Sequence, residues 1–346
     1  LPITQRMSPT ILLQHGRSFR KFQNPVRVVT AVSPSDVLPA LVEVETAVRA
    51  ENLYAAGFIA YEAAAAFGLA VHAPLDGLPL LWFGLFDGFE DTSQLPIANC
   101  QLPTVGVWQP AIDRAGYDAA IGQIKEHIAA GDTYQVNYTF PQHASFAGAP
   151  LAYFAQLVAA QRASYAAYLD IGRFGICSAS PELFFTLDGT QLSSKPMKGT
   201  AVRGLTLAQD KANMAWLAHS EKNRAENVMI VDMIRNDMGR VAEVGSVHVP
   251  QLFEVERYPT LLQMTSTVQA QTRAPLSQIV ANMFPCASIT GAPKVRTMQI
   301  IKELEPQPRG VYTGSIGFLA PDGTAQFNVA IRTVLVDRER GQATYG

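Results

Sequence analysis

The sequence predicts an α+β chain built on antiparallel sheet, and three observations carry that expectation. Two Asp-Gly pairs, Asp188-Gly189 and Asp322-Gly323, each sit between apolar runs, and this dipeptide supplies the positive φ angles that a tight hairpin turn needs. Long helical patterns fall at 220–238 and 293–304, between the hairpins. No Gly-rich turn leads from a strand into a helix, which disfavours a nucleotide-binding fold.

Along the chain, the residues before Met7 read as an expression remnant. A strand is expected from Val26 to Val32 and a helix from Ser35 to Arg49, followed by a Gly- and Pro-punctuated region down to Pro110 with no visible site chemistry. Beyond Asp113, the spacing of Ile121, Ile124 and Ile128 marks a helix, and Gly131 is placed to stop it in the left-handed conformation. From Thr133 to Phe140, Tyr134, Val136, Tyr138 and Phe140 alternate with Thr133, Gln135, Asn137 and Thr139, so a strand there would send Gln135 and Asn137 to one face. Residues 1–110 form a first part and 111–346 a second. With no linker between them, they are expected to make one compact unit.

Composition bounds the function. A chain of 346 residues, 48% hydrophobic, can bury one large core or two modest ones. The formal net charge is -2 and no run of five like charges occurs, which excludes the electrostatic footprint of a nucleic-acid or anionic-membrane binder but leaves room for a small anionic ligand. Cys100, Cys177 and Cys286 are far apart and fit neither a disulfide framework nor a zinc site, as expected of a protein in the reducing cytoplasm. The apolar stretches at 54–65 and 77–86 are too short or too interrupted to span a bilayer, and the N-terminus lacks a signal pattern.

Four places can carry chemistry. Glu182 enters the first hairpin after Ser180-Pro181, and Lys198 leaves it in Lys195-Pro196-Met197-Lys198-Gly199-Thr200. With the turn centred on Asp188-Gly189, residue 182 faces about residue 195, and Lys198 lies about 10 Å of extended chain further on. The carboxyl and the amine can converge there, or form a surface ion pair at the hairpin end. Glu226 shares a helix face with Met229, Ile230 and Met233, so its carboxylate must be protonated, paired with an arginine, or bound to a cation. The cluster Arg235-Asn236-Asp237 with Arg240 reads as structural. Ser288 to Lys294 opens a helix with Pro293 at its first position, leaving the amides of Thr290 to Ala292 either to receive a carboxylate or to serve as a plain cap. Arg332, expected in a return strand from Phe327 to Val336, can clamp a carboxylate bidentately or be a buried structural arginine.

Taken together, the segments Y-Q-V-N (134–137), S-P-E (180–182), K-P-M-K-G-T (195–200), A-E-N-V-M-I-V-D (225–232), R-N-D-M-G-R (235–240), I-T-G-A-P-K (289–294), Y-T-G-S-I-G (312–317) and I-R-T (331–333) resemble, in order, the chorismate-utilising enzymes. The resemblance runs from about residue 113 to the end of the chain. It implies that large antiparallel sheets form a sandwich-like core with helices around it. Members that add water carry lysine where this chain has Gln135, and ammonia users carry glutamine. Anthranilate synthases typically have alanine at the place of Lys198, whereas the members that aminate chorismate at C4, the aminodeoxychorismate synthases, have lysine.

By this resemblance Lys198 is a nucleophile toward the ring and Glu182 the general acid that helps the C4 hydroxyl leave. Tyr312 and Arg332 grip the enolpyruvyl carboxylate, and Gln135, Thr200, Thr290, Gly291, Ala292 and Lys294 contact the substrate. Glu226 holds part of a magnesium site. A separate glutamine amidotransferase subunit supplies ammonia. The family continues beyond a position equivalent to Gly346 with a Gly-rich loop and a helix bearing E-x-x-E, so the chain reads as truncated, its last strand without a return partner. The competing readings are anthranilate synthase component I, with Lys198 a bystander, and a non-catalytic chorismate-binding protein.

Overall fold

The strands Tyr54–Ile59 and Leu81–Phe86 are buried almost throughout, which requires cover on both faces of the sheet that contains them. A computed structural model, describing residues 9–97 and 100–346, provides that cover as four layers. The residues before Met7, read as an expression remnant, lie outside the described residues.

All strand pairs are antiparallel, in two ten-stranded sheets and a small two-stranded one. The first large sheet is centred on Thr10–His15, Tyr165–Asp170, Phe174–Ser180 and Thr333–Asp337. In the second, Met197–Val202, Leu261–Gln271, Gln191–Lys195, Leu183–Asp188, Ala325–Val329, Ser315–Leu319, Tyr54–Ile59, Leu81–Phe86 and Arg27–Ala31 lie in that order. The sheets face each other across a core in which Ile11, Phe22, Leu169 and Ile176 meet Phe58, Trp82, Ile316 and Phe318. Each fully buried aromatic there contributes roughly 1.5–3 kcal/mol of transfer free energy. The outer face of the second sheet is covered by the helices Pro34–Glu51, Glu221–Gly239 and Leu276–Met283. The helix Pro150–Gln161 covers the first. No helix among the described residues is long and apolar enough to cross a membrane.

The local predictions hold where local chemistry decides. The helix Arg114–Ala129 starts where the Asp113 carboxylate accepts the Gly116 N–H at 2.8 Å. It stops at Gly131, φ +80°, where Gly131 and Asp132 donate to the carbonyls of Ile128 and His127 at 3.1 and 3.0 Å, the paired bonds of a Schellman stop.

Four expectations need correction. The first hairpin pairs Asp188 with Gln191, so its turn is Gly189-Thr190 and Leu183, not residue 182, faces Lys195. Of Thr133–Phe140 only Gln135–Val136 is strand, because the only edge it meets among the described residues is Gly291–Ala292. The run Phe327–Val336 is not one strand: the chain leaves the second sheet at Val329 and enters the first at Thr333. The last strand, Gln342–Tyr345, has partners on both sides, Thr333–Asp337 and Gln142–Ala147.

Candidate active site

The two large sheets exchange strands at more than one pair of crossovers, and the candidate site lies at one of them. Phe174–Ser180 pairs with Thr333–Asp337 in the first sheet, while Leu183–Asp188 pairs with Ala325–Val329 in the second. Two neighbouring crossovers, 181–182 and 330–332, therefore run side by side, tied by the Ala179 N–H to the Arg332 carbonyl at 3.0 Å and the Val329 N–H to the Glu182 carbonyl at 3.0 Å. Glu182 and Arg332 reach one cleft of about 830 Å³, shared with Asn137, Met197, Lys198, Thr200, Gln263, Ser288, Ile289 and Tyr312. A second space opens beyond Tyr312 but holds none of the other predicted site residues.

Lys198 owes its place to a bulge. Met197 pairs with Thr265 but Thr200 with Gln263, so one extra residue is inserted between them, with Gly199 at φ +94°. A bulge of this kind bends the strand and re-aims the side chain beside it. Lys198 is half-buried and makes no hydrogen bond or ion pair among the described residues. The Gly199 position tolerates no larger residue without adjustment, since a Cβ there would lie 3.0 Å from that of Asn223.

Glu182 is 3% exposed and its Oε1 accepts no hydrogen bond. Burial pushes its carboxyl up to about 7, against the opposing pull of the Ser288 hydroxyl, the Lys198 ammonium and the Met197 N–H. Desolvation disfavours the charged form, so near neutral pH a substantial fraction of the group is protonated and can deliver that proton into the cleft. Burial likewise raises the Tyr312 phenol. Arg332 stands at φ +51° and donates from Nη1 to Gln161 Oε1 at 2.9 Å.

The structure thus brings Glu182, Lys198, Thr200, Tyr312 and Arg332 together, and leaves the other predicted residues outside the cleft lining. Lys294 is committed elsewhere: its ammonium donates to Asp237 at 2.5 Å and to the Met283 carbonyl at 3.0 Å. That pair gives the structural cluster at the end of Glu221–Gly239 a partner on the helix Lys294–Leu304 rather than its own terminal carbonyls. Thr290 turns its hydroxyl back to the Ala287 carbonyl at 3.2 Å. Gly291 and Ala292 lie in the strand against Gln135–Val136, and the helix begins only at Lys294, so these amides do not form the free helix terminus expected. Gln135 has a buried Oε1 without a partner.

Glu226 is half-buried on the helix Glu221–Gly239 and has no arginine partner among the described residues, so the ion-pair alternative is not what the structure shows. No group of three His, Cys, Asp or Glu side chains converges among the described residues. The donor set is one unpaired carboxylate, which fits magnesium only in sites completed by water and substrate. Gln263 was missed altogether; its alternation with Leu262 and Met264 marks it only as a strand residue.

The family described as chorismate binding enzyme matches residues 96–346. The chain belongs to that family. It is 44% identical over 229 residues to aminodeoxychorismate synthase component 1 of Escherichia coli (strain K12), covering 66% of this chain and 51% of that one. With component 1 of Bacillus subtilis (strain 168) it shares 41% identity over 233 residues, 67% of this chain and 50% of that one. The chain spans about half the length of these relatives. Among solved structures of chorismate-utilising enzymes, anthranilate synthase component I from Streptococcus pneumoniae superposes with a TM-score of 0.79 at 22% identity, over 99% of this chain and 87% of that one. A putative isochorismate synthase from Bacillus anthracis gives 0.77 at 16%, over 97% and 88%. At those identities the likeness establishes the family's fold, with the two antiparallel sheets and surrounding helices described above.

Proposed function

We propose that this protein aminates chorismate at C4 with ammonia to give 4-amino-4-deoxychorismate, the precursor of p-aminobenzoate in folate biosynthesis. The observation that carries the reading is the shared cleft of an unpaired Lys198 and a Glu182 whose carboxyl is in substantial part protonated near neutral pH. In this reading the neutral Lys198 amine attacks C2 of the ring, both conjugated ring double bonds shift toward C4, and the C4 hydroxyl leaves as water with the proton of Glu182. Ammonia then attacks C4, both double bonds shift back, the bond from C2 to the lysine nitrogen breaks to release the neutral amine, and the Glu182 carboxylate takes a proton from the new ammonium. Splitting one hard substitution into two easier ones is the advantage of a covalent intermediate. Tyr312 and Arg332, which line the same cleft, suit the enolpyruvyl carboxylate, Arg332 through its planar fork.

Magnesium belongs to the same proposal, held by Glu226, water and the ring carboxylate, where it would neutralise the charge of the bound substrate. The relatives from Escherichia coli and Bacillus subtilis are named as component 1, which supports ammonia delivery by a second component, a glutamine amidotransferase. The three free cysteines, two of them buried, suit a reducing cytoplasm.

The test is product identification after incubation with chorismate, magnesium and ammonium. Aminodeoxychorismate is expected; anthranilate would assign the chain to the other amination, and the absence of any product would leave a chorismate-binding protein.

A further inference from the structure

Behind the wall of the cleft, and not lining it, lies a buried arginine with every donor used. Arg309 donates from Nε and Nη2 to the Glu305 carboxylate at 2.9 and 2.6 Å. Nη1 donates to the Ile289 carbonyl at 3.0 Å and the Thr313 hydroxyl at 3.3 Å, and Nη2 to the Asn137 carbonyl at 2.8 Å. These bonds match the five N–H groups of a guanidinium. Its side chain is 2% exposed, as is that of Glu305, and the guanidinium lies 4.6 Å from the ring centre of Tyr61. From the N-terminal part of the chain, Glu62 accepts the backbone N–H groups of Arg309 and Gly310 at 2.7 and 3.0 Å.

Stability alone does not call for this arrangement, because a buried ion pair is often no better than well-packed apolar side chains of the same volume. What the guanidinium adds is a rigid planar fork that fixes two carbonyls from distant segments at set positions. Both carbonyls belong to residues that line the cleft, Asn137 and Ile289. The Ile289 carbonyl also accepts Asn137 Nδ2 at 3.3 Å, and Ile289 follows Ser288, which lines the cleft beside Glu182 and pulls its carboxyl pKa down. We propose that Arg309 is a positioning residue that locks the Asn137 and Ser288–Ile289 segments together and so fixes the wall against which Glu182 works, without touching the substrate. The inference rests on the amination reading for its kinetic consequence only.

The experiment compares wild type, Arg309→Lys, and a double variant, Glu305→Gln with Arg309→Met, which removes both charges together and so avoids leaving one buried alone. Lysine keeps the charge but brings three donors on a flexible stem. Arg338→Met, which breaks the ion pair with Asp170 on the far side of the first sheet, controls for loss of stability without loss of positioning. Amide hydrogen exchange is expected to accelerate in residues 134–139 and 287–292 of both Arg309 variants, where the Asn137 and Thr290 N–H groups bond to Thr290 and Ala287, and not in the Arg338 variant. The amination kcat should fall about tenfold or more, the scale on which misplacement of a catalytic wall is felt, with a smaller change in KM. Unchanged exchange in both segments, or a wild-type kcat in a folded Arg309 variant, overturns the proposal. A wild type that aminates nothing defeats the amination reading instead, and the exchange comparison then decides the positioning role by itself.

Discussion

Gln263 clamps Gly199 and with it the bulge that carries Lys198. Its Nε2 donates to the Gly199 carbonyl at 2.9 Å and its Oε1 accepts the Thr200 hydroxyl at 3.1 Å. Both bonds bracket the inserted residue, and Gln263 is 8% exposed, so neither is readily replaced by water. Gln263→Leu keeps the volume but leaves the Gly199 carbonyl without its donor, a loss of roughly 1–3 kcal/mol for a buried group. We expect a lower melting temperature and at least a tenfold drop in kcat, on the order expected for a misplaced nucleophile. A variant that melts lower yet turns over normally would mean that the bulge holds Lys198 in place without Gln263.

Stability should depend on pH through Glu182. Its folded-state carboxyl is raised from 4.5 to about 7 by burial, so the stabilising neutral form is fully present below the unfolded value and is lost as pH rises through the folded one. Unfolding free energy should therefore decline between about pH 4.5 and 7, by at most about 3 kcal/mol from this group. Glu62, also pushed up to about 7 by burial, contributes with the same sign. Glu182→Gln should remove only part of the slope, and denaturant titrations at several pH values measure it. With free ammonia held constant, kcat/KM should fall above about pH 7 as the acid ionises, and the same variant should lack that limb. A profile flat from pH 6 to 8.5 in wild type argues against Glu182 as the acid.

Metal dependence should trace to Glu226. The amide in Glu226→Gln has the shape of the carboxylate without its charge, and the side chain has no ion-pair partner among the described residues to lose. We expect an unchanged melting temperature and a weaker magnesium response, read as a higher magnesium concentration for half-maximal chorismate binding. An identical response in both proteins would remove Glu226 from any metal site.

What the sequence disclosed and what it withheld divide along a physical line. Gly131 as a helix stop and the second hairpin, with Gly323 at φ +86°, follow from local backbone chemistry and were legible, although Asp322 does not take the positive φ expected of the pair. Glu182 and Lys198 could be brought near each other because one hairpin joins them. The one-residue error in that hairpin came from the turn, Gly189-Thr190 rather than Asp188-Gly189, which alone would set residue 184 opposite Lys195; the register shift between Leu183 and Thr186 takes back one residue, and no local pattern announces either. The pairing of Lys294 with Asp237 was not legible, because the two lie 57 residues apart in the chain. Glu62 was invisible for the same reason, since its work is done on backbone amides 247 and 248 residues further on. Arg332 was placed in a strand by its alternating neighbours, although it sits at a crossover in a left-handed conformation that only the exchange between sheets explains.

The sharpest prediction concerns Lys198. If its amine forms the bond to the ring, Lys198→Ala should lower aminodeoxychorismate formation by about a hundredfold or more, the scale of a lost positioned catalytic group. Chorismate affinity should largely persist, because Tyr312 and Arg332 line the same cleft and remain. Wild-type protein given chorismate and magnesium but no ammonia should accumulate an adduct on Lys198, located by peptide mass spectrometry, since the first half of the reaction then has no second half to clear it. A lysine that merely pairs with a substrate carboxylate behaves differently on both counts: no adduct forms, and its removal weakens binding more than turnover. The half-buried, unpaired state of the side chain fits the first behaviour, as a structural lysine would have an acceptor in the folded protein. Near-normal formation of the same product by Lys198→Ala would defeat covalent catalysis, and a switch of product to anthranilate would show that the lysine chooses the carbon at which nitrogen enters.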